Sequence, residues 1–227
     1  MNPASLKGRV RAVGFDLDGT LIDTLPDIAA AANAMLSDLR RPVVPEETVR
    51  GYIGDGIARL TKRLLTGTLN GEPDEALFEQ ALHVFEGHYF DGVSRDSRPF
   101  PGVASGLERL RGAGLRLACI TNKAERFTVA LLRAQGMAPD FDLVLSGDSL
   151  PRKKPDPLPL LHACEHFGVS PGEFLFVGDS PNDMAAARAA GCPVVCVPYG
   201  YTGGQDVRDL GADAIVSSIS DLAVLIT

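Results

Sequence analysis

The chain has no run approaching the roughly 20 consecutive apolar residues that a membrane-spanning helix requires, so no membrane partner is expected. Residues 1–11 lack the apolar stretch of a secretory signal. Basic residues are in deficit: 22 Lys and Arg stand against 29 Asp and Glu, a formal charge of −7. That balance argues against broad nucleic-acid binding, which favours basic surfaces. It does not exclude a small anionic substrate, because a pocket can differ from the average surface. The four cysteines, Cys119, Cys164, Cys192 and Cys196, form no CxxC pair. They are expected to be reduced, in a cytoplasmic protein. No internal repeat or low-complexity segment is present. His162 and His166 have the i, i+4 spacing of a zinc pair, but no third ligand accompanies them.

What remains is the composition of an ordinary globular chain, 45% hydrophobic and 22% charged over 227 residues. Short apolar runs at 12–17, 115–121, 174–177 and 194–197 read as buried parallel strands, with further short ones at 143–146 and 214–216. Amphipathic patterns at 103–111, 124–135, 157–167 and 182–190 separate most of them. Gly168 and Gly191 fall where a helix end favours a left-handed residue. This alternation predicts an α/β fold, a doubly wound parallel sheet with helices on both faces. Residues 24–97 break the rhythm, with helical patterns and no convincing strand. Thr24 is placed to cap the first of these helices, and Pro26 sits in its first turn. The pattern around Leu77, Phe78, Ala81, Leu82, Phe85 and Tyr89 reads mainly as core of the insertion, any remainder being free for a homo-oligomer contact. The expected organisation is a core of 1–23 and 98–227 with a helical insertion at 24–97, hinged near Asp23 and at 99–102.

In open α/β sheets, ligands bind beyond the carboxyl ends of the strands. Four polar clusters fall there: Asp16 and Asp18, Thr121 and Asn122, Lys153 and Lys154, and Asp179 with Asp183. Four carboxylates and one lysine carry a formal −3, which forces protonation unless a cation shares the site. Carboxylate-rich ligation suits Mg²⁺ over zinc, and Mg²⁺ typically binds few carboxylates together with a substrate phosphate. The cluster therefore points to metal-assisted chemistry on a phosphate. In such chemistry one carboxylate can attack phosphorus and a second can serve as acid and base, while a hydroxyl and an ammonium hold the phosphoryl oxygens.

The pieces "DLDGT" (16–20), "ITN" (ending in Thr121 and Asn122), "KKPDP" and "GDSPND" (178–183) stand in the order of the four signature motifs of the haloacid dehalogenase superfamily, which the chain resembles in its phosphatase branch. The resemblance implies a Rossmann-like core with a helical cap. It implies Asp16 as nucleophile and Asp18 as acid and base, with Thr121 on the phosphoryl group. Lys154, which abuts Pro155, is the implied lysine in preference to Lys153. The implied Mg²⁺ ligands are Asp16, the backbone carbonyl of Asp18, and Asp179, with Asp183 behind them or replacing a water. Dehalogenases of the superfamily lack the second acid, so Asp18 argues against that activity. "GTLIDTLPDIAAAAN", "GYIGDGIARLTKRLL", "KKPDPLPLLHACEHFGV" and "YGYTGGQDVRDLGADAIVSSISDL" further resemble the bacterial phosphoglycolate phosphatase family. That likeness implies a small phosphorylated metabolite as substrate, 2-phosphoglycolate first. Gly54 in the "GDG" loop and Asn122 are the implied substrate contacts, together with Arg63 or, failing it, Lys62 or Arg59, on the substrate carboxylate. Gly203 and Gly204 read as an ordinary loop. The alternatives are phosphatases of other sugar phosphates, a β-phosphoglucomutase-type transfer, or a non-catalytic sensor of a phosphorylated metabolite.

Overall fold

The computed structural model describes residues 7–227, so the first six residues of the expected core segment lie outside the described residues. Six parallel strands form the central sheet: β1 (Ala12–Phe15), β4 (Arg116–Ile120), β5 (Leu143–Leu145), β6 (Phe174–Gly178), β7 (Val194–Cys196) and β8 (Ala214–Ile215). Their order is β5-β4-β1-β6-β7-β8. The chain starts at the centre, winds outward to one edge, then returns beside β1 and winds to the other. This is the doubly wound order, and it opens a crevice where the winding reverses, between β1 and its neighbours.

Side-chain alternation assigns each strand residue to a face. Val13, Phe15, Leu117, Cys119, Leu175 and Val177 belong to one apolar cluster with α5 (Val103–Gly112), α6 (Glu125–Ala134) and α9 (Ile219–Ile226). Ala12, Ala118, Ile120, Phe174 and Phe176 belong to the other, with α7 (Leu158–Phe167) and α8 (Pro181–Ala190). Helix α9 was not foreseen from the sequence. It packs closely on α5, where a Cβ on Gly106 would lie 2.6 Å from the Ile219 backbone. All four cysteines are buried free thiols. No helix is long and apolar enough to cross a membrane among the described residues.

Between β1 and β4 come α1 (Leu25–Asp38), α2 (Glu46–Arg50), α3 (Ile57–Thr66) and α4 (Glu75–Gly92). Their apolar faces share a third cluster containing Ile28, Ala32, Met35, Leu60, Leu64, Ala81, Phe85 and Tyr89. Phe127 and Tyr201, from outside the insertion, also join that cluster. Two short antiparallel strands, β2 (Ile22–Asp23) and β3 (Arg98–Pro99), bring the entry and exit of the insertion together.

Thr24 occupies the cap position of α1, but its side chain makes no capping bond. Tyr201 does that work instead: its hydroxyl accepts from Thr24 N and Leu25 N, both at 2.9 Å, and donates to Asp23 Oδ1 at 2.6 Å. Tyr201→Phe would strand the buried Thr24 N–H at this junction, while Leu25 N keeps Asp23 Oδ1 at 3.3 Å. It is expected to lower stability by about 1–3 kcal/mol, read as a lower urea midpoint at unchanged slope.

Candidate active site

The rim at the carboxyl ends of β1, β4 and β6 gathers Asp16, Asp18, Thr121, Asn122, Lys154, Asp179 and Asp183. Asp16 continues the ladder past β1, its N–H donating to Val177 O at 2.9 Å. The chain then turns through Gly19, whose φ of +87° is left-handed and whose missing Cβ would sit 2.4 Å from Asp179 Oδ2. Glycine is thus needed there both for the turn and for the approach of Asp179. Asp179 follows β6 directly. It accepts from Thr20 Oγ1 at 2.5 Å and from Tyr201 N at 2.6 Å.

Asp183 lies in the first turn of α8, where Ser180 is the N-cap and the two residues form a capping box. Its Oδ2 accepts from Asp179 N, Ser180 N and Ser180 Oγ. Its Oδ1 faces Lys154 Nζ at 2.7 Å. Lys154 also reaches Asp16 Oδ1 at 2.8 Å, so one buried ammonium bridges two carboxylates. Lys153 points elsewhere and donates to Asp55 O at 2.7 Å in the insertion.

Charge is concentrated where water is scarce. Burial pushes the Asp16 carboxyl up to about 7 against the pull of Lys154, with Asp183 and Asp18 adding to the rise. Asp179 is likewise raised well above its ordinary range, by burial first and then by Asp183 and Asp16. Burial favours a neutral Lys154, but Asp16 and Asp183 outweigh it and hold the ammonium above its usual range.

A second lysine, which the motif reading passed over, sits in the same site. Lys123 is buried, and its Nζ lies 2.8 and 2.9 Å from the two carboxylate oxygens of Asp18. Tyr89 of α4 covers it, with the ring centroid 4.9 Å from Nζ. Burial again favours the neutral amine, and Asp18 with Tyr89 overcomes it. Thr121 is buried at the end of β4, with its Oγ1 accepting from Lys123 N at 3.2 Å. Two ammoniums against four carboxylates leave a formal −2 at the rim, the charge one divalent cation balances.

Asp16, Asp179 and Asp183 can each present an oxygen within 4.8 Å of the others, an all-oxygen donor set that fits a hard cation. Both oxygens of Asp183 and both of Asp179 already accept hydrogen bonds within the protein, and Oδ1 of Asp16 faces Lys154. His162 and His166 belong to no such group among the described residues.

A cavity of about 40 Å³ opens onto these groups, lined on the core side by Asp16, Asp18, Thr121, Asn122, Lys123 and Asp179. The insertion closes it with Ile28, Ile53, Ile57, Leu60 and Tyr89, and with Gly54 and Gly56. The loop carrying Gly54 is fastened to the core. Asn122 Nδ2 donates to Gly54 O at 3.0 Å and to Lys154 O at 2.9 Å, and Asn182 Nδ2 donates to Asp55 Oδ1 at 2.8 Å.

Asn122 and Gly54 thus line the cavity and also latch it. Arg63 does not join them. Its guanidinium is held by Asp55 Oδ2 at 2.5 Å, Tyr52 O at 2.7 Å and Leu69 O at 3.1 Å, away from the cavity lining. Arg59 and Lys62 are paired with Glu72, at 2.7 and 2.6 Å. No cation of that helix lines the cavity: the loop after α3 holds Arg59 and Lys62, and Tyr52 and Asp55, which precede α3, hold Arg63 together with Leu69.

A model of the haloacid dehalogenase-like hydrolases matches residues 10–191. A protein of Thiobacillus denitrificans named phosphoglycolate phosphatase is 56% identical over 218 residues, spanning 96% of both chains. One of the same name from Nitrosospira multiformis is 56% identical over 217 residues, again spanning 96% of each. The crystal structure of a predicted phosphoglycolate phosphatase from Haemophilus somnus superposes with a TM-score of 0.91 at 36% identity, covering 96% of this chain and 98% of the other. With the motifs converging on one rim and the match running along most of its length, the chain belongs to the haloacid dehalogenase-like hydrolases.

Proposed function

We propose that this protein is a Mg²⁺-dependent phosphomonoesterase that hydrolyses 2-phosphoglycolate to glycolate and phosphate through a phosphorylated Asp16. The observation that carries the reading is that Asp16 and Asp18 face different buried lysines. Lys154 holds Asp16, and Lys123 holds Asp18. Two acids with separate cationic partners suit two separate roles. The names of the relatives support the choice of substrate.

In this reading Asp16 attacks phosphorus, and the leaving alkoxide takes a proton from Asp18. The resulting acyl phosphate is cleared when Asp18 accepts a proton from water as that water attacks phosphorus. Phosphate leaves and the Asp16 carboxylate is restored. Thr121 Oγ and Lys154 Nζ bind phosphoryl oxygens, and Asn122 keeps the loop at Gly54 closed. Asp183 fixes Lys154 and the turn at Asp179. Asp16 and Asp179, with the backbone carbonyl of Asp18, would hold the cation. When bound, it supplies charge that favours ionised carboxylates and offsets the negative phosphoryl oxygens.

Residues 24–97 act as a cap on a core formed by 1–23 and 98–227. The cap presents five apolar side chains to a small cavity, which excludes water and bulky esters.

A panel of small phosphate esters, with released phosphate measured, tests this reading. Turnover of 2-phosphoglycolate is expected to exceed that of larger sugar phosphates. EDTA is expected to reduce it by about 100-fold or more, with recovery on adding Mg²⁺. Conversion of glucose 1-phosphate to an isomer without phosphate release would favour phosphoryl transfer instead. Silence across the panel with Mg²⁺ present would favour a sensor.

A further inference from the structure

We propose that Lys123 is the residue that recognises the carboxylate of the substrate, and so sets the preference for acid-bearing esters. The proposal rests on the phosphoglycolate reading and names the group that confers it. Elimination supplies the first argument. The sequence offered Arg63, Lys62 and Arg59 as carboxylate partners, yet Asp55 and Glu72 hold these three outside the cavity. Among the described residues that line the cavity, Lys123 is the only cation. The cap side of the lining is apolar apart from the Tyr89 hydroxyl and the backbone at Gly54 and Gly56.

Substrate geometry supplies the second argument. Asp18 protonates the oxygen that joins phosphorus to the leaving group. In phosphoglycolate the carboxylate carbon lies two bonds beyond that oxygen, so the carboxylate must settle beside Asp18. Lys123 Nζ is already there, 2.8 Å from Asp18 Oδ1. An ammonium has three N–H donors, and the two Asp18 oxygens use at most two. The Tyr89 ring and its apolar neighbours keep the amine dry, which strengthens a charge pair with an incoming anion.

Lys123 also holds Asp18, and a residue with that role alone would be a positioning residue. The two roles separate by substrate. A positioning residue affects every ester alike, whereas a recognition residue matters only when the leaving group carries an acid.

The test compares kcat/KM for 2-phosphoglycolate with that for 2-hydroxyethyl phosphate, an ester of the same chain length whose leaving group is uncharged, in the parent protein and in Lys123→Met. The parent is expected to favour the acid by about 30-fold or more, the effect of one charge-assisted contact. K123M is expected to bring the ratio within about threefold of unity, chiefly by raising KM for phosphoglycolate. Equal losses on both esters, with the ratio retained, would overturn the proposal and assign Lys123 to positioning alone. A parent ratio near one would overturn the phosphoglycolate reading itself, and this proposal with it. If K123M shows no cooperative melt, Lys123→Gln carries the same readout while keeping a hydrogen-bond donor for Asp18. A retained ratio in K123Q is equally fatal to the proposal.

Discussion

Replacing Asp16 with Asn is expected to abolish phosphate release while leaving the fold intact. The amide has nearly the shape of the carboxylate and none of its nucleophilicity. Loss of a nucleophile costs about 10⁴-fold or more in kcat. Stability should move little. The Asp16 carboxyl is raised in the folded state to about 7 from an ordinary 3.8. The protonated form is therefore favoured by folding, and that contribution is complete below about 3.8. It is lost as pH rises through about 7, because the ionised form is then buried next to Asp183 and Asp18. Asn is neutral throughout, so metal-free D16N at pH 8 should melt at or above the parent temperature. Its remaining deficit is the weakened partner of Lys154, which keeps Asp183. Near-normal turnover in a folded D16N protein would refute the nucleophile assignment.

Lys154→Met is expected to damage both rate and stability. Lys154 is buried and bridges two carboxylates at 2.8 and 2.7 Å. Methionine fills a similar volume but leaves Asp16 and the fully buried Asp183 without a cation. Breaking a buried pair from one side costs about 3–5 kcal/mol. The same change removes a positive charge aimed at the phosphoryl oxygens, for which mutagenesis of comparable groups gives about 100- to 1,000-fold in kcat. The Asp16 carboxyl should also rise further, since the Lys154 pull that opposes burial is gone, leaving less ionised nucleophile at neutral pH. A chemical denaturation series and a kcat measurement on one preparation check both effects. Parent-like values of the two together would show that the bridge is not needed.

These expectations draw on a site whose parts were mostly visible in one dimension. Parallel strands buried on both faces read as apolar runs, so β1, β4, β6 and β7 stand out, and the acids after β1 and β6 with Thr121 and Asn122 after β4 mark a rim. Asp183 is expected behind the metal ligands or in place of a water, and its two oxygens bond Lys154 and three donors in the turn.

Three features escape because their meaning lies in contacts that no periodic pattern reports, two of them distant along the chain and that of Arg63 within 11 residues. Lys123 looks like a loop lysine until Tyr89 of the insertion is laid over it. Arg63 looks free on its helix until Leu69 and Tyr52 close on it. Tyr201, about 180 residues from the junction it fastens, stands in a glycine-rich loop with no pattern that marks its hydroxyl. The two-residue strands β2 and β3 are too short to carry a period at all.

The claim beneath the mechanism is that phosphorus is handed first to a carboxylate of the protein and only then to water. Hydrolysis of a substrate made chiral at phosphorus with oxygen isotopes, followed by stereochemical analysis of the released phosphate, tests that claim most directly. Two successive in-line displacements predict retention of configuration. Inversion would mean a single attack by water, and would remove Asp16 from the role of nucleophile.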